Sequence, residues 1–182
     1  MPGVLPVKRG RKVMSKRCFS KITYKQYRKD TAFVEDNNIL KEYTEICLPK
    51  RATGCSAGYD FFAPKNFTLN PGQEIKIPTG IRAFMNEDEW LGIFIRSGHG
   101  FKYNVRLNNS VAVIDADYVR AKNEGHIWIA IYNGGKRIFE IKKGEAFAQG
   151  VFQKYLLVDD DMPVNNERYG GLGSTSNEKV ER

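Results

Sequence analysis

Between residues 61 and 157 the chain alternates apolar and polar positions in short runs, each closed by turn-forming residues. Leu91, Ile93 and Ile95 share one face of residues 90–95, the two-residue period of a half-buried strand. Residues 74–77 alternate and stop at Pro78, residues 81–85 stop at Asn86-Glu87-Asp88-Glu89, and residues 138–141 make a further short run. Residues 146–157 suit one long strand or a last pair, and residues 39–48 mix apolar and charged positions ahead of Pro49, consistent with an edge strand. Asn70-Pro71-Gly72 has the type II turn pattern, Asn133-Gly134-Gly135 is a hairpin signal, and Lys142-Lys143-Gly144-Glu145 is a turn. No amphipathic helix of three turns stands out. Short strands at regular spacing predict an all-β barrel or sandwich.

Two runs break the alternation. Residues 127–132 are apolar on both faces, which a subunit interface would explain. In residues 108–118, Val111, Val113 and Ile114 lead directly into Asp115, Asp117 and Tyr118, as in a buried strand that ends at a polar site. A carboxylate held where the chain leaves the core can be partly desolvated and positioned as a general base. Taken alone, the same run is also explained by a solvated strand end with two turn aspartates.

Charge alters this picture at one end only. The formal net charge is +8, but residues 1–29 hold ten Lys/Arg and no acid, leaving a body of net charge −2. A slightly acidic body is a poor nucleic-acid surface, because that binding rests on phosphate neutralisation, so no stable nucleic-acid binding is expected. Residues 1–20 are expected to be disordered, and residues 22–36 to form a short element packed on the body. The basic stretch Lys8-Arg9-Gly10-Arg11-Lys12 is compatible with a nuclear or organellar targeting signal, or with a plain upstream extension. The three cysteines form no C-x-x-C pair and the two histidines are too few for a His-based metal site, which suits a reducing, cytoplasmic setting. No apolar run approaches a membrane span.

Several short features suit an anion. Arg96-Ser97-Gly98 combines a guanidinium fork, a hydroxyl and a flexible backbone amide, Gln149 is a polar residue within an apolar strand, and Arg168 precedes a run rich in Gly and Ser/Thr. Asp60 follows the small-residue stretch 52–58 and is a candidate for holding a hydrated Mg2+. Each has a bland alternative: a surface turn, a core amide, a flexible tail, a capping aspartate.

In this order and company, the features resemble the trimeric deoxyuridine triphosphatases (dUTPases). Five motifs appear in sequence: Ala57-Gly58-Tyr59-Asp60 with Phe61-Phe62-Ala63; Arg96-Ser97-Gly98; Asn109 through Val113-Ile114-Asp115-Ala116-Asp117-Tyr118; Gly144-Glu145-Ala146-Phe147-Ala148-Gln149; and Arg168 with Gly170-Gly171-Leu172-Gly173-Ser174-Thr175. The resemblance implies a jelly-roll-like β barrel, a homotrimer with sites shared between subunits, and Mg2+-assisted hydrolysis of dUTP to dUMP and pyrophosphate. It also implies three segments: a basic, partly disordered extension (1–38), the barrel (39–160), and a glycine-rich arm closing over a site (161–182).

Roles follow the same resemblance. Asp115 resembles the base that activates the attacking water, and Tyr118 the aromatic that packs under deoxyribose and leaves no room for a 2′-hydroxyl. Asn109, with Val113 and Ile114 in the same stretch, resembles the hairpin that hydrogen-bonds uracil. Arg96, Ser97, Gly98 and Gln149 look like phosphate and water ligands, and Asp60 like the carboxylate reaching Mg2+ through water. Arg168, Gly171, Leu172, Gly173 and Ser174 resemble the closing arm. Three departures stand out: Leu172 replaces the usual stacking aromatic, with Tyr169 a candidate substitute; Ala112 replaces a common glycine; and residues 119–124 lengthen the connection after Tyr118. That loop and the basic arm are candidate contacts for a neighbour or a regulatory protein partner. A dCTP deaminase of the same fold and a nucleotide-sensing binding module are the rival readings.

Overall fold

The computed structural model describes residues 17–31 and 38–162. In chain order the strands are β1 (Cys18–Lys21), β2 (Lys50–Arg51), β3 (Tyr59–Phe62), β4 (Phe67–Leu69), β5 (Glu74–Pro78) and β6 (Ile81–Phe84). They continue as β7 (Glu89–Ile95), β8 (Val105–Leu107), β9 (Ala112–Asp115), β10 (Trp128–Asn133), β11 (Phe139–Ile141) and β12 (Ala146–Lys154). Three two-turn helices interrupt them: α1 (Tyr24–Asp30), α2 (Ile39–Glu45) and α3 (Ser97–Tyr103), with a 3-10 turn at Ala116–Arg120.

The sheets run β1-β6, β5-β10-β8, β11-β4 and β2-β3-β12-β7-β9, and every pair is antiparallel. Only β2 and β3 are neighbours both in sequence and in a sheet among the described strands. Such crossing connections are those of a jelly roll rather than an up-and-down barrel. The core between the sheets is filled by Phe61, Leu91, Ile93, Ile127, Ile129, Ile131, Phe139 and Phe147, all but fully buried. The alternation in β10 is clean: Ile129 and Ile131 point inward, while Trp128, Ala130 and Tyr132 stay half-buried. No described helix is long and apolar enough to cross a membrane.

Three expectations differ from this fold, and a fourth takes a definite form. Residues 39–45 form α2, not an edge strand, because Ile39, Tyr43 and Ile46 recur at helical spacing and pack on the core. Residues 18–20, expected to be disordered, lie in β1, where Phe19 packs against Tyr59, Phe61 and Phe152 at 5.3–5.7 Å between ring centroids. The expected element in residues 22–36 is α1, capped by Thr23, whose side chain accepts from Gln26 N. Finally, Asn133-Gly134-Gly135 does not join paired strands, since β10 and β11 lie in different sheets. The fully buried Asn133 side chain ties this crossover instead, donating to Leu69 O and Arg137 O at 2.9 Å each and accepting from Gly135 N at 3.0 Å.

The N-terminal segment is fastened to the body at several points. Arg17 Nε donates to both oxygens of the buried Glu89 carboxylate at 2.8 Å, and this bond holds the Glu89 carboxyl below the usual range against the opposing effect of burial. Lys21 Nζ caps α2 by donating to Tyr43 O (3.0 Å) and Thr44 O (2.9 Å), where the helix dipole is negative. Tyr27 is fully buried and donates its hydroxyl to Glu42. Asp30 Oδ2 meets Nδ1 of the fully buried His126 at 2.6 Å.

His126 has a defined tautomer. Its Nε2 lies 2.8 Å from the Gly80 amide, which can only donate, so Nδ1 carries the proton given to Asp30. Burial pushes the ring below its ordinary 6.5, and the Asp30 carboxylate opposes this without reversing it. A histidine depressed in the folded state stabilises fully above 6.5 and loses that contribution as pH falls below it, since the unfolded chain binds the proton first. Tm is therefore expected to fall as pH drops from about 7.5 to about 5.5, above the window of the carboxylates. The His126→Gln variant should be less stable throughout but lack that fall; an unchanged slope in the variant would exclude the assignment.

Candidate active site

Three adjacent strands of the largest sheet converge at one end. Asp60 on β3 lies opposite Gln149 on β12, which lies opposite Phe94 on β7. Arg96, one residue past the end of β7, directs Nε to Asp60 Oδ1 at 3.0 Å and Nη1 to Ala146 O at 3.3 Å. Gln149 Nε2 donates to Ile95 O at 3.2 Å, which aims its carboxamide at the strand end. Gly58 is required here, because a Cβ would overlap Gln149 Oε1. Ser97 and Gly98 begin α3, in the turn whose amide groups lack intrahelical acceptors. Asp60, Arg96, Ser97, Gly98 and Gln149 thus form one cluster.

An open cleft of about 350 Å³ runs from this cluster along α3 and β8, with Arg96, Ser97, Phe101, Arg106 and Ser110 among its walls. His99 adds a ring nitrogen 3.0 Å from Ala146 O. Sequence reading missed His99, Phe101, Arg106 and Ser110. The position of His99 and Phe101 directly after Arg96-Ser97-Gly98 was the available signal, but it is α3 that sets His99 against Ala146 O and, on a different face of the helix, Phe101 in the cleft wall.

The Asn108-Asn109-Ser110 turn bridges two sheets, since β8 pairs with β10 and β9 with β7. The turn is tight: Val111 N donates to Asn109 O at 2.6 Å, and Ser110 is left-handed at φ 61°. Asn109 and Val113 are exposed and Ile114 half-buried. Ala112, the residue in place of a common glycine, is accommodated in the core opposite Ile93.

Asp115 is exposed at the end of β9, not partly desolvated. Its partner in the ladder is Trp90, near the start of β7. Arg96 lies six residues farther along that strand, a separation of roughly 20 Å at ~3.3 Å per residue. A single chain therefore does not bring Asp115 to the Arg96–Gln149 cluster. Tyr118 sits on the 3-10 turn beside Asp115 and is buried, its hydroxyl donating to His126 O at 2.9 Å and accepting from Asn123 Nδ2 at 2.8 Å. Arg168, Tyr169, Gly171, Leu172, Gly173 and Ser174 lie outside the described residues.

Among the described residues no three His, Cys, Asp or Glu side chains cluster as a cation cage. A lone half-buried Asp60 beside an anion-suited cluster fits Mg2+ that keeps most of its waters and takes its remaining oxygens from a phosphorylated ligand.

Comparison with known proteins identifies the family. The dUTPase family model matches residues 44–176. A deoxyuridine 5'-triphosphate nucleotidohydrolase of Lactococcus lactis is 42% identical over 132 residues, covering 71% of this chain and 88% of that protein. The enzyme of the same name from Desulfitobacterium hafniense is 38% identical over 136 residues, covering 70% and 86%. Among solved structures, the crystal structure of dUTPase from Streptococcus mutans is similar at a TM-score of 0.59 and 35% identity, covering 78% of this chain and 98% of that one. By the span of the family match, the identity of these relatives and the shared β architecture, the chain belongs to the dUTPase family.

Proposed function

We propose that this chain hydrolyses dUTP to dUMP and pyrophosphate at sites completed by neighbouring copies of itself, in a homotrimer. The roughly 20 Å between Asp115 and Arg96 along β7 carries this reading: base and phosphate cluster meet only if they come from different chains. The surface of the single chain supports assembly. Leu156, Leu157, Val158 and Met162 after β12 are exposed, as are Phe101 and Val113, apolar side chains that a neighbouring copy could cover. The half-buried outer face of β10, with Trp128 and Tyr132, adds to it.

In the proposed site Arg96, Ser97, Gly98 and Gln149 bind the phosphates, and the Arg168, Gly171, Leu172, Gly173, Ser174 arm closes over them. Asp60 would help hold a hydrated Mg2+ carried by the triphosphate, and that ion would supply charge neutralisation. Asn109, Val113 and Ile114 belong to the stretch that receives uracil, and Tyr118 packs under the sugar. Asp115 accepts a proton from a water whose oxygen attacks the α-phosphorus. The bond to the bridging oxygen breaks as the new one forms, and pyrophosphate leaves with its electron pair. A neighbour's surface over the exposed Asp115 would desolvate and orient it. General-base assistance is worth ~10²–10⁴-fold.

The lengthened 119–124 loop is engaged by the chain's own N-terminal segment through Glu124 and Thr23, so a regulatory partner is not needed to explain it. Such a partner, if bound through the arm, would act beside the proposed sugar site.

Asp115→Asn is expected to keep assembly and dUTP binding while losing ~10²–10⁴-fold in kcat, measured by pyrophosphate release. Arg96→Ala should be similarly impaired. Co-assembling the two inactive variants in equal amounts should restore activity to about a quarter of wild type, the random fraction of sites with both residues intact; no recovery would overturn the shared site. Parallel assays of dCTP for ammonia release should stay at background. Gly58→Ala should still fold, since the clash falls chiefly on the end of the flexible Gln149 side chain, yet lose roughly 10- to 100-fold in kcat/KM by misplacing that carboxamide. Unchanged kinetics in that variant would remove Gln149 from the phosphate site.

A further inference from the structure

The Tyr118 hydroxyl is held by two groups of the loop that follows it, Asn123 Nδ2 at 2.8 Å and His126 O at 2.9 Å. Asn123 is itself fixed: its Oδ1 accepts from Gly125 N at 3.2 Å, and its Nδ2 also approaches His126 O at 3.4 Å. Gly125 has φ +73°, and a Cβ there would strike the Val119 backbone at 2.6 Å, so the loop closes tightly on the 3-10 turn carrying Tyr118.

The loop is in turn gripped by a distant part of the chain. Glu124 accepts from Thr23 N at 2.8 Å and Thr23 Oγ1 at 2.6 Å, and lies 3.7 Å from Arg82 Nη1. Burial pushes the Glu124 carboxyl up, but the Thr23 bonds and the Arg82 charge outweigh this and hold it below the usual range. Two residues on, His126 joins Asp30 and the Gly80 amide through its two ring nitrogens. Thr23 and Asp30 flank α1 at its start and end, so the helix spans both attachments. The path is continuous: α1, Glu124 and His126, then Asn123 and the His126 carbonyl, then the Tyr118 hydroxyl.

We infer that the segment from Thr23 to Asp30, acting through Glu124, His126 and Asn123, is a positioning brace that sets Tyr118 and thereby the discrimination between deoxyribose and ribose. The inference rests on the reading that Tyr118 packs under the substrate sugar. Excluding a single hydroxyl needs a wall that does not yield, and a tyrosine on a 3-10 turn beside a flexible loop would yield. With the brace in place the hydroxyl makes two hydrogen bonds and the ring is buried. Asn123, Glu124, Thr23 and Asp30 touch no reacting atom in this scheme; they act through Tyr118.

The test compares kcat/KM for dUTP and UTP in the full-length protein, well below each variant's Tm. Tyr118→Ala reports on the underlying reading. If its dUTP/UTP ratio equals wild type, Tyr118 does not read the sugar and the brace inference falls with it. If the ratio falls, Asn123→Ala and Glu124→Gln are expected to lower it roughly five- to tenfold, the size of one lost hydrogen bond. Asp30→Ala should do the same, with Glu124→Gln serving if the buried His126 does not tolerate losing its partner. A purely structural role would lower Tm and depress both substrates alike, leaving the ratio fixed, and that result overturns the brace alone. In a Tyr118→Phe background, Glu124→Gln should lower the ratio no further; an additive effect would also overturn it, because the loop would then act elsewhere.

Discussion

The antiparallel pairing of β7 with β12 on one side and β9 on the other constrains everything the chain can do. One partner strand carries Gln149 and, through β3, Asp60 to the end of β7 where Arg96 emerges. The other carries Asp115 toward the opposite end. Backbone hydrogen bonds fix both registers, and a slip of one residue would turn every side chain to the other face. The buried Leu91 and Ile93 on β7, packed with Phe61 and Phe147, make such a slip costly, since fully burying each is worth about 1.5–3 kcal/mol. The same ladder that builds the anion cluster thus holds the carboxylate away from it.

The N-terminal segment forms a second layer of organisation. Arg17 on Glu89, Phe19 among three aromatic rings, Lys21 on the end of α2, and Thr23 and Asp30 on Glu124 and His126 of one loop engage four separate parts of the fold within fourteen residues. The partners of Arg17, Thr23 and Asp30 are buried or half-buried, where a charge or donor needs a fixed counterpart. Residues 17–20, read from their composition as disordered, are part of the body, and the segment from Ile22 to Asp30 packs on it as expected.

What the sequence disclosed and what it concealed follow from the range of the interactions. The strand around Leu91, Ile93 and Ile95 was legible because alternation is a local property that burial of one face enforces. Arg96-Ser97-Gly98 and Gln149 were legible as anion-suited groups, although their convergence with Asp60 required strand pairings some ninety residues apart in sequence. Residues 39–45 misled because Pro49 drew attention from the helical spacing of Ile39, Tyr43 and Ile46. Asn133 misled because its turn chemistry is real but serves a crossover between sheets. The placement of Asp115 on an exposed strand end, and the grip of Thr23 and Asp30 on the loop after Tyr118, had no local signature at all.

The distance along β7 has a consequence for how such a protein is controlled. Under the proposed roles, a folded but solitary polypeptide would hold its reactive groups and still be inert, because its acid and its guanidinium stand too far apart. Under the proposed assembly, output then scales with the fraction of chains that have found companions, so dilution by itself is an off switch. One damaged copy also spoils a site built largely from intact ones, so a minority of defective subunits disables a disproportionate share of the pool.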